Sequence, residues 1–440
     1  MHSVLHLKLE EIDSAEKRSE YTVSVVGCDQ KGILLANAFA DAGFKVICSD
    51  ADPSLMKKIS RGKTPFSQPS IESKLKSHIT KGRIRAANDL KKNIPQSDII
   101  ILTVSPTFDD KNKMDYSPVI NVCKQVGAAL KQGTLIIYSG IAGFGFTEDT
   151  VKETLENTSA LKAGKDFGLA YHPALLVEAT NNVNLNVAAS DQTSLNAAAT
   201  ILNTLSKNVK TASQVKVAEI AALFTIAKQD ANRALANELA VFCEKAGIDY
   251  FEALQFLDFD TSDFLPIAVE EENKDEVYLL LDTAENVNSK LRLSTLARQI
   301  NEDMVKHAVN LTQEGLRNCG KSLRRARVAI IGADNTQSGT SAFVRMLKMK
   351  GAKINIYDPK ANKEQSNLRA VKTKLSDAIE GTDCIVILPM QEQLNRLNLK
   401  KLKVLMRKPS VIVDLTGTLE PKKVTTEGFI YCGLGRGTGN

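Results

Sequence analysis

Apolar and polar residues alternate along this chain in blocks whose lengths distinguish strands from helices. Strand-length runs rich in apolar or β-branched residues occupy 21–27, 44–49, 98–104 and 134–138, and the last two are continuous apolar runs. Runs of this length are typical of parallel strands that are buried on both faces. Helical spacing at 33–41, between the first two runs, completes a strand–helix–strand unit. The pattern therefore predicts a doubly wound sheet over residues 21–210, preceded by a polar extension, residues 1–20.

The middle of the chain changes to a period of 3.6 residues. An alanine-rich segment at 214–247 contains few helix breakers, and a second helical stretch covers 293–318. Between them, residues 261–277 are acidic and contain no glycine, which indicates a solvated loop or the end of a helix. We therefore predict a central helical domain over residues 211–320, of the kind that pairs two subunits.

Strand-length apolar runs return in the last quarter of the chain, at 328–332, 354–359, 384–388 and 411–415. Gly332-Ala333-Asp334 opens a loop similar to the one after the first strand. We therefore predict a second α/β domain over residues 321–440. The predicted fold is α/β, with two Rossmann-like doubly wound domains joined by a long central helical region.

The composition is that of a globular protein with two or three domains: 440 residues, of which 43% are hydrophobic and 25% charged. The net charge of +6 is mild, and no block of five or six cations marks a nucleic-acid-binding arm. No apolar run approaches the ~18 residues that a membrane span needs. We expect neither a nucleic-acid nor a membrane partner, whereas an anionic small molecule fits a mildly basic surface.

The cysteines and histidines restrict the compartment and the chemistry. Seven cysteines lack CxxC spacing and fall within predicted strands and helices, which indicates reduced and mostly buried thiols. The first 20 residues are too acidic and polar for a signal peptide, so we expect a cytoplasmic protein. The five histidines show no metal-ligand spacing, and no metal is expected.

The turn after the first strand, VSVVGCDQKG at 23–32, resembles a dinucleotide-binding loop that lacks one glycine. Gly27 and Gly32 hold the outer positions of a G-x-G-x-x-G fingerprint, but Asp29 stands at the middle one. A glycine there lets the backbone approach a pyrophosphate. An aspartate adds a Cβ atom and a negative charge at the helix N-terminus that would otherwise attract the phosphates.

Two further aspartates favour a dinucleotide at the same place. Asp50 ends the second strand about 20 residues after the glycines, where an acid binds the adenosine ribose and disfavours a 2′-phosphate. Asp52 follows two residues later. We therefore predict NAD as a possible cofactor, bound through Gly27, Gly32, Asp50 and Asp52 and weakened by Asp29. Lys31 could offset that charge, or the ligand lacks a pyrophosphate.

Several strings in order resemble the nucleotide-sugar dehydrogenase family, the UDP-glucose, GDP-mannose and UDP-N-acetylmannosamine 6-dehydrogenases. They are SDADP (49–53), GRIRAANDL (82–90), LAYHPALLVEAT (169–180), ANRALANELAVFCEKAGID (231–249), LARQINEDM (296–304), KSLRRARVAIIG (321–332) and GFIYCGLGRG (428–437). The resemblance implies an oxidoreductase that uses NAD twice to convert a sugar C6 alcohol to a carboxylate. It also implies a nucleotide sugar on the last domain and a homodimer.

The catalytic residues that the resemblance implies are mostly replaced. The family nucleophile is a cysteine, but none lies between Cys243 and Cys319, and its position falls near Glu272. The lysine and asparagine of the long helix align with Ala222 and Ile226. The glutamate after the family's Asn/Ser-Pro pair aligns with Ala174. The remaining weak catalytic candidates are Glu178, which is retained, and His172, which precedes the proline.

The groups that the resemblance assigns to substrate are also reduced. Gly140 stands where a family threonine is expected, and Thr147 is retained later in the same segment. The loop at 333–339 lacks the family lysine and arginine, and a later D-x-R reads Asp414-Leu415-Thr416. Loss of these cations weakens the usual nucleotide-sugar site.

Three functions remain open from the sequence. The first is a catalytically inactive homologue that binds a ligand or a partner. The second is an NAD-dependent oxidoreductase that performs one hydride transfer without a cysteine, on a sugar nucleotide or a related substrate. The third is a complete 6-dehydrogenase in which acidic residues replace the family groups. The missing cysteine argues against the third, because a carboxylate does not readily trap an aldehyde.

Overall fold

The computed structural model describes residues 3–64, 69–108, 114–141, 143–173, 184–258, 261, 264–269, 274–332, 338–359, 370–388 and 397–437. The chain forms two compact units. One comprises Met1–Thr225 and Tyr278–Asn288, and the other comprises Ile226–Val277 and Ser289–Asn440. Each unit is built around its own sheet.

The sheet of the first unit has eight strands in the order β10-β9-β8-β7-β4-β1-β2-β3. All neighbouring strands are parallel except β8 and β9. A two-stranded hairpin, β5 and β6, lies outside it. The strands are β1 Thr22–Val26, β2 Lys45–Ser49, β3 Ile84–Ala86, β4 Ile99–Leu102, β5 Thr107–Phe108, β6 Met114–Asp115, β7 Leu135–Tyr138, β8 Gly168–Tyr171, β9 Asn184–Ala189 and β10 Asn208–Ala212. Every residue of β4, β7 and β8 is buried. The apolar runs at 98–104 and 134–138 predict this for β4 and β7.

Helices cover both faces of this sheet. They are α1 Ala15–Arg18, α2 Gln30–Ala42, α3 Pro53–Ile59, α4 Pro69–Thr80, α5 Leu90–Asn93, α6 Ser117–Gly127, α7 Glu153–Ser159 and α8 Gln192–Leu202. The N-terminal segment joins the same core, with Val4, Leu7 and Ile12 buried in it. The Val4 amide donates to the Gly133 carbonyl at 3.2 Å, so this polar-looking segment is anchored to the sheet.

The central part of the chain is helical. Its helices are α9 Val215–Ala246, α10 Tyr250–Leu254, α11 Lys274–Asn286 and α12 Arg292–Asn318. The two long helices lie within two residues of the predicted bounds. The acidic segment at 261–277 is predicted as a solvated loop or the end of a helix, but Ala268 and Val269 are buried in the core of the second unit. Its last residues begin α11.

The second sheet repeats the topology of the first in six strands, all parallel, in the order β13-β12-β11-β14-β15-β16. Its strands are β11 Arg327–Ile331, β12 Lys353–Tyr357, β13 Val371–Lys372, β14 Cys384–Ile387, β15 Val411–Asp414 and β16 Ile430–Gly433. Its described helices are α13 Ser338–Met349, α14 Leu375–Ile379, α15 Leu399–Leu405 and α16 Pro421–Thr426. The strands β3-β2-β1-β4-β7-β8 of the first sheet and all six strands of the second lie in the doubly wound order, in which the sheet's own strands run 3-2-1-4-5-6. This order confirms the predicted fold class.

All seven cysteines are free and buried, as predicted. In the described ranges, none of the helices has the length and apolar character required to cross a bilayer.

Candidate functional site

The turn from β1 to α2 brings the helix unusually close to the strand. Gly27 has a φ of +99°, which side chains rarely adopt, and an added Cβ would lie 2.5 Å from the Thr103 hydroxyl oxygen. A Cβ on Gly32 would lie 2.1 Å from the Gly27 carbonyl oxygen. The Thr103 hydroxyl donates to that same carbonyl at 2.7 Å. The two outer glycines therefore perform the tight-turn and close-packing roles of a dinucleotide fingerprint.

Asp29 occupies the middle position of this loop and caps the helix itself. Its backbone is extended at the N-cap of α2, and its Oδ1 accepts the Gly32 N–H at 2.8 Å. First-turn amides of this kind are the groups that bind a phosphate at a helix N-terminus. An internal carboxylate thus takes the place of the ligand phosphate.

The charge state of Asp29 is set by opposing effects. Although the residue presents surface to solvent, surrounding protein partly desolvates the carboxyl group and raises its pKa above the ordinary value. The Gly32 amide and the Lys31 charge act in the opposite direction. The negative charge of Asp50 adds to the increase. The loop therefore holds Asp29 in a position where protonation is easier than in free aspartate.

Asp50 and Asp52 lie beside this turn, as the spacing predicts. Asp50 Oδ2 accepts the Cys28 N–H at 2.7 Å, and Oδ1 accepts the Asp52 N–H at 2.9 Å. Asp52 caps α3 by accepting the Ser54 N–H at 2.7 Å, which holds the pKa of its carboxyl group below the ordinary value. Each Asp50 oxygen keeps a second lone pair for a ribose hydroxyl. The adenosine end of NAD therefore fits, whereas the Asp29 carboxylate does not fit a pyrophosphate.

The segment after β7 leaves no room at Gly140 for the threonine that the resemblance implies. An added Cβ at Gly140 would lie 2.5 Å from the Tyr138 hydroxyl oxygen and 2.7 Å from its ring. Tyr138 is fully buried, and Phe146 lies between it and Tyr116, with ring centroids 5.9 and 4.5 Å apart. A threonine at position 140 would therefore require this aromatic cluster to move.

Glu219 on α9 fixes the same segment through its backbone. This fully buried carboxylate accepts the Gly145 N–H at 2.7 Å and the Thr147 N–H at 2.9 Å. Burial raises its pKa, while the two amides oppose the increase. Glu219 lies one turn before Ala222 on the helix. Glu219 is the titratable neighbour on the helix face of Ala222. Both of its carboxylate oxygens accept hydrogen bonds from the segment after β7.

The long-helix positions implied by the resemblance offer no reactive group. Ala222 and Ile226 are both 1% exposed. An alkyl side chain can neither carry a proton nor stabilise an oxyanion, so these two positions contribute apolar packing.

His172 directly follows β8 and is buried. Its Nδ1–H donates to the Asn186 carbonyl oxygen at 2.7 Å. Burial lowers its pKa, so the ring is neutral and Nε2 carries the lone pair. Among the described residues, Nε2 has no hydrogen-bond partner. The other weak catalytic candidate, Glu178, lies outside the described residues, as do Ala174 and Glu272.

In the second unit, Asp414 organises the turn after β15. Its Oδ1 accepts the Thr416 hydroxyl at 2.6 Å and the Gly417 N–H at 3.1 Å. Its Oδ2 accepts the Leu419 N–H at 2.8 Å. The residue is fully buried, so the first residue of D-x-R has a structural role here. Most of the loop at 333–339 lies outside the described residues.

Two features of this site were not deduced from the sequence. One is the hydrogen bond between Asp29 and Gly32, although aspartate three residues before a first-turn amide is a common capping signal. The other is the anchoring of the loop by Glu219, which is separated from Gly145 by 74 residues. In the sequence, this contact is indicated only by a glutamate on an otherwise apolar face of a predicted helix.

Comparisons with known proteins agree with this architecture. Residues 21–193 match the NAD binding domain of the UDP-glucose/GDP-mannose dehydrogenase family, and residues 333–421 match its UDP binding domain. The chain is 25% identical to UDP-N-acetyl-D-mannosamine dehydrogenase of Pyrococcus horikoshii, covering 94% of this chain and 99% of that enzyme. It is also 25% identical to a UDP-glucose 6-dehydrogenase of Bacillus subtilis, covering 94% and 93%.

Solved structures show the same fold. The structure of UDP-D-ManNAc dehydrogenase from Pyrococcus horikoshii has a TM-score of 0.81 and 24% identity, covering 95% of this chain and all of that one. A UDP-glucose dehydrogenase from Pyrobaculum islandicum has a TM-score of 0.79 and 18% identity, covering 94% and 98%. The two family models together span more than half of the chain, on both of its sheets. The chain belongs to the UDP-glucose/GDP-mannose dehydrogenase family.

Proposed function

We propose that this family member binds a nucleotide sugar, or another anionic small molecule, and no longer converts a sugar alcohol to a carboxylate. The observation that carries the proposal is the absence of any cysteine between Cys243 and Cys319. Oxidation through the aldehyde requires a thiolate that adds to the carbonyl carbon and holds the thiohemiacetal for the second hydride transfer. No change of alignment restores a thiol to this stretch.

The buried helix positions support the same proposal. A base must accept the hydroxyl proton as hydride leaves the alcohol carbon. Ala222 and Ile226 stand where the resemblance implies a lysine and an asparagine, and both are buried hydrocarbons. Neighbouring Glu219 is engaged by two backbone amides. The groups for proton transfer and for oxyanion stabilisation are therefore missing together.

NAD, when bound, would supply the hydride acceptor at its nicotinamide ring. Asp50 would hold the adenosine ribose, and Asp29 opposes the pyrophosphate with a like charge. We therefore propose that this chain binds NAD more weakly than its relatives do. A ligand without a pyrophosphate at the β1–α2 turn would avoid the repulsion.

One observation favours a second candidate function. His172 Nε2 is an unprotonated, buried nitrogen with no partner among the described atoms. Such a nitrogen can accept the proton of a single alcohol oxidation, which needs no covalent step. The alternative is therefore an NAD-dependent oxidoreductase that stops at a carbonyl product.

The two candidates separate in a turnover assay. Purified protein is incubated with NAD and, in turn, with UDP-glucose, GDP-mannose and UDP-N-acetylmannosamine, while absorbance follows NADH. We expect no NADH above the rate without enzyme, because Ala222 and Ile226 offer no base for the alcohol proton that must leave with the first hydride. The second transfer also lacks a thiol between Cys243 and Cys319. The dehydrogenase from Pyrococcus horikoshii serves as the positive control with its own substrate.

Steady formation of NADH would overturn the loss of activity. Two NADH per sugar would indicate a complete oxidation that replaces the cysteine. One NADH per sugar, abolished by His172→Ala, would favour the single-transfer alternative. Binding of the same sugars is measured separately by calorimetry, so that an inactive binding protein is distinguished from one that binds nothing.

We also infer a homodimer, supported by an exposed apolar stripe on α9. Leu235, Leu239 and Phe242 are 44%, 40% and 62% exposed. Their spacing places them on one face of the helix. Apolar side chains grouped in this way mark protein interfaces more often than scattered ones do.

We expect a solution mass of about twice the 47.9 kDa of the chain by light scattering. Leu239→Glu together with Phe242→Glu should give the monomer mass, because a C2 interface would bring both charges against their copies. Lys207→Glu, at an exposed position outside α9, is the control and should leave the mass unchanged. A monomeric wild type would refute the inference.

A further inference from the structure

The mild net charge of this chain is the sum of a strongly basic C-terminal part and a much longer acidic part. Residues 321–440 contain 22 cationic and 10 anionic side chains, whereas residues 1–320 contain 35 and 41. The C-terminal part therefore carries a net charge of +12, and the rest carries −6. An asymmetry of this size indicates an anionic partner for the basic part.

The cations gather at one edge of the second sheet. Parallel strands all begin at the same edge, and the crossover helices that precede them end there. We call the segments 321–327, 348–353, 380–383, 403–410 and 427–429 the basic edge. They contain ten lysines and arginines and only three carboxylates. The cations are Lys321, Arg324, Arg325, Arg327, Lys348, Lys350, Lys353, Lys403, Arg407 and Lys408.

Contacts between the segments make this edge one surface. A Cβ on Gly381 would lie 3.4 Å from an Arg327 guanidinium nitrogen and 3.9 Å from one of Arg407. The Lys353 amide donates to the Ala326 carbonyl at 2.8 Å. Asp383 is already neutralised by Lys321, whose Nζ lies 2.8 Å from its Oδ1. The carboxylates that remain are Glu380 and Glu427.

Two apolar side chains project among these cations. Met349 is 81% exposed at the end of α13, between Lys348 and Lys350. Val404 is 84% exposed in the last turn of α15, next to Lys403. The connections through α13 and α15 run in opposite directions along the sheet, so right-handed crossovers place these helices on opposite faces. An apolar tip therefore flanks the edge on either side.

We propose that the basic edge docks on the surface of an anionic lipid bilayer. The cations would meet lipid phosphates, and the two apolar tips would enter the headgroup boundary. The segments of the edge contain a single aromatic residue, Phe429, which is buried, so the stacking surface typical of single-stranded nucleic-acid binding is missing there. The carboxyl ends of the same strands, where ligands bind in this fold class, face away from the edge.

The linear sequence alone predicts no membrane partner. The cations come from separate segments, none of which forms a block of five or six, and only the fold brings them together. A peripheral surface of this kind requires no membrane-spanning helix.

The test is co-sedimentation of the full chain with vesicles. We expect at least tenfold more protein on mixed phosphatidylglycerol and phosphatidylcholine vesicles than on phosphatidylcholine alone. Binding should fall as salt rises, because the screening length shortens from about 10 Å at 0.1 M to about 3 Å at 1 M. Removing exposed cations with Arg324→Ser, Lys353→Ser and Arg407→Ser together should reduce binding at least tenfold.

A matched triple variant provides the control. Lys57→Ser, Lys91→Ser and Lys207→Ser remove three exposed cations from the first unit and should leave binding unchanged. Met349→Ser with Val404→Ser should reduce vesicle binding several-fold and leave retention on heparin unaltered. The proposal would be overturned by equal binding of the wild type to both vesicle types. It would also be overturned if the control triple lost as much vesicle binding as the test triple, or if Met349→Ser/Val404→Ser bound vesicles as well as the wild type. Tighter binding to single-stranded DNA than to vesicles would assign the edge to nucleic acid instead.

Discussion

Replacing Asp29 by glycine is expected to raise the affinity for NAD about 30-fold, or about 2 kcal/mol. The substitution removes a carboxylate that accepts the Gly32 amide at 2.8 Å and restores the middle glycine of the fingerprint. Two unit charges 4 Å apart repel by about 4 kcal/mol at an effective dielectric constant of 20, so half of that value allows for solvent at the loop. Calorimetric titration of both proteins with NAD measures the change.

Two further variants separate charge from capping. Asp29→Asn keeps a capping oxygen and removes the charge, so it should recover most of the gain. Glycine at an N-cap costs only a few tenths of a kcal/mol relative to aspartate, so the glycine variant should still fold. An unchanged affinity in both variants would show that the loop geometry, rather than the carboxylate, decides cofactor binding.

The pH dependence gives an independent check of the same effect. The pKa of Asp29 is raised, so protonation begins at a higher pH than in a free aspartate. Wild-type affinity for NAD should therefore increase as the pH falls from neutral into the acidic range, because the carboxyl group loses its charge while the pyrophosphate keeps its own. The Asp29→Asn variant lacks this group and should show a flatter profile.

Asp230→Ala is expected to lower the free energy of unfolding by about 3–5 kcal/mol. Asp230 and Arg298 are 4% and 3% exposed, and their side chains pair at 2.7 Å. Asn301 Nδ2 donates to the same carboxylate oxygen at 2.9 Å. Removal of the acid leaves the buried guanidinium with the partly exposed Glu302 carboxylate, 3.8 Å from its Nε, in place of the buried 2.7 Å pair. Loss of a buried partner costs far more than loss of an exposed one. Urea unfolding followed by circular dichroism measures the loss.

The controls for this prediction use the same pair of helices. Asp303→Ala breaks an exposed pair with Lys306 on α12 and should produce no measurable change. Asp230→Ala combined with Arg298→Met should be more stable than Asp230→Ala alone, because the buried positive charge that has lost its buried partner is gone. A double variant as unstable as the single one would mean that packing, rather than the charge, accounts for the loss.

The periodic parts of the fold could be predicted from the sequence because each depends on a local pattern. The run DIIILTV predicts a strand over 98–104, and the observed strand is Ile99–Leu102. The period of 3.6 at 214–247 predicts α9 to within one residue at either end. For the acidic segment at 261–277 the charge predicts a solvated loop or the end of a helix, and its last residues do begin α11. The solvated loop is wrong at Ala268 and Val269, which pack into a core formed by residues far along the chain.

The sequence predicts which residues lie together in the candidate site, but not the hydrogen bonds and contacts that they make. The spacing of Gly27, Gly32 and Asp50 placed them together because strand ends of a parallel sheet share an edge. The bond between Asp50 and the Cys28 amide depends on how β1 and β2 pair, and the Gly140 contact with Tyr138 depends on the rotamer of a buried ring. Interactions of this kind are set by tertiary packing, which no local pattern contains.

Because the Gly32 amide already donates to Asp29, an anion that binds at the β1–α2 loop must displace the Asp29 carboxylate. Any incoming phosphate competes with a tethered anion that is always present at the site and cannot be diluted or washed away. The apparent dissociation constant is the intrinsic one divided by the fraction of molecules in which the aspartate has swung aside. A change anywhere that alters that rotamer population would tune ligand affinity without touching the ligand.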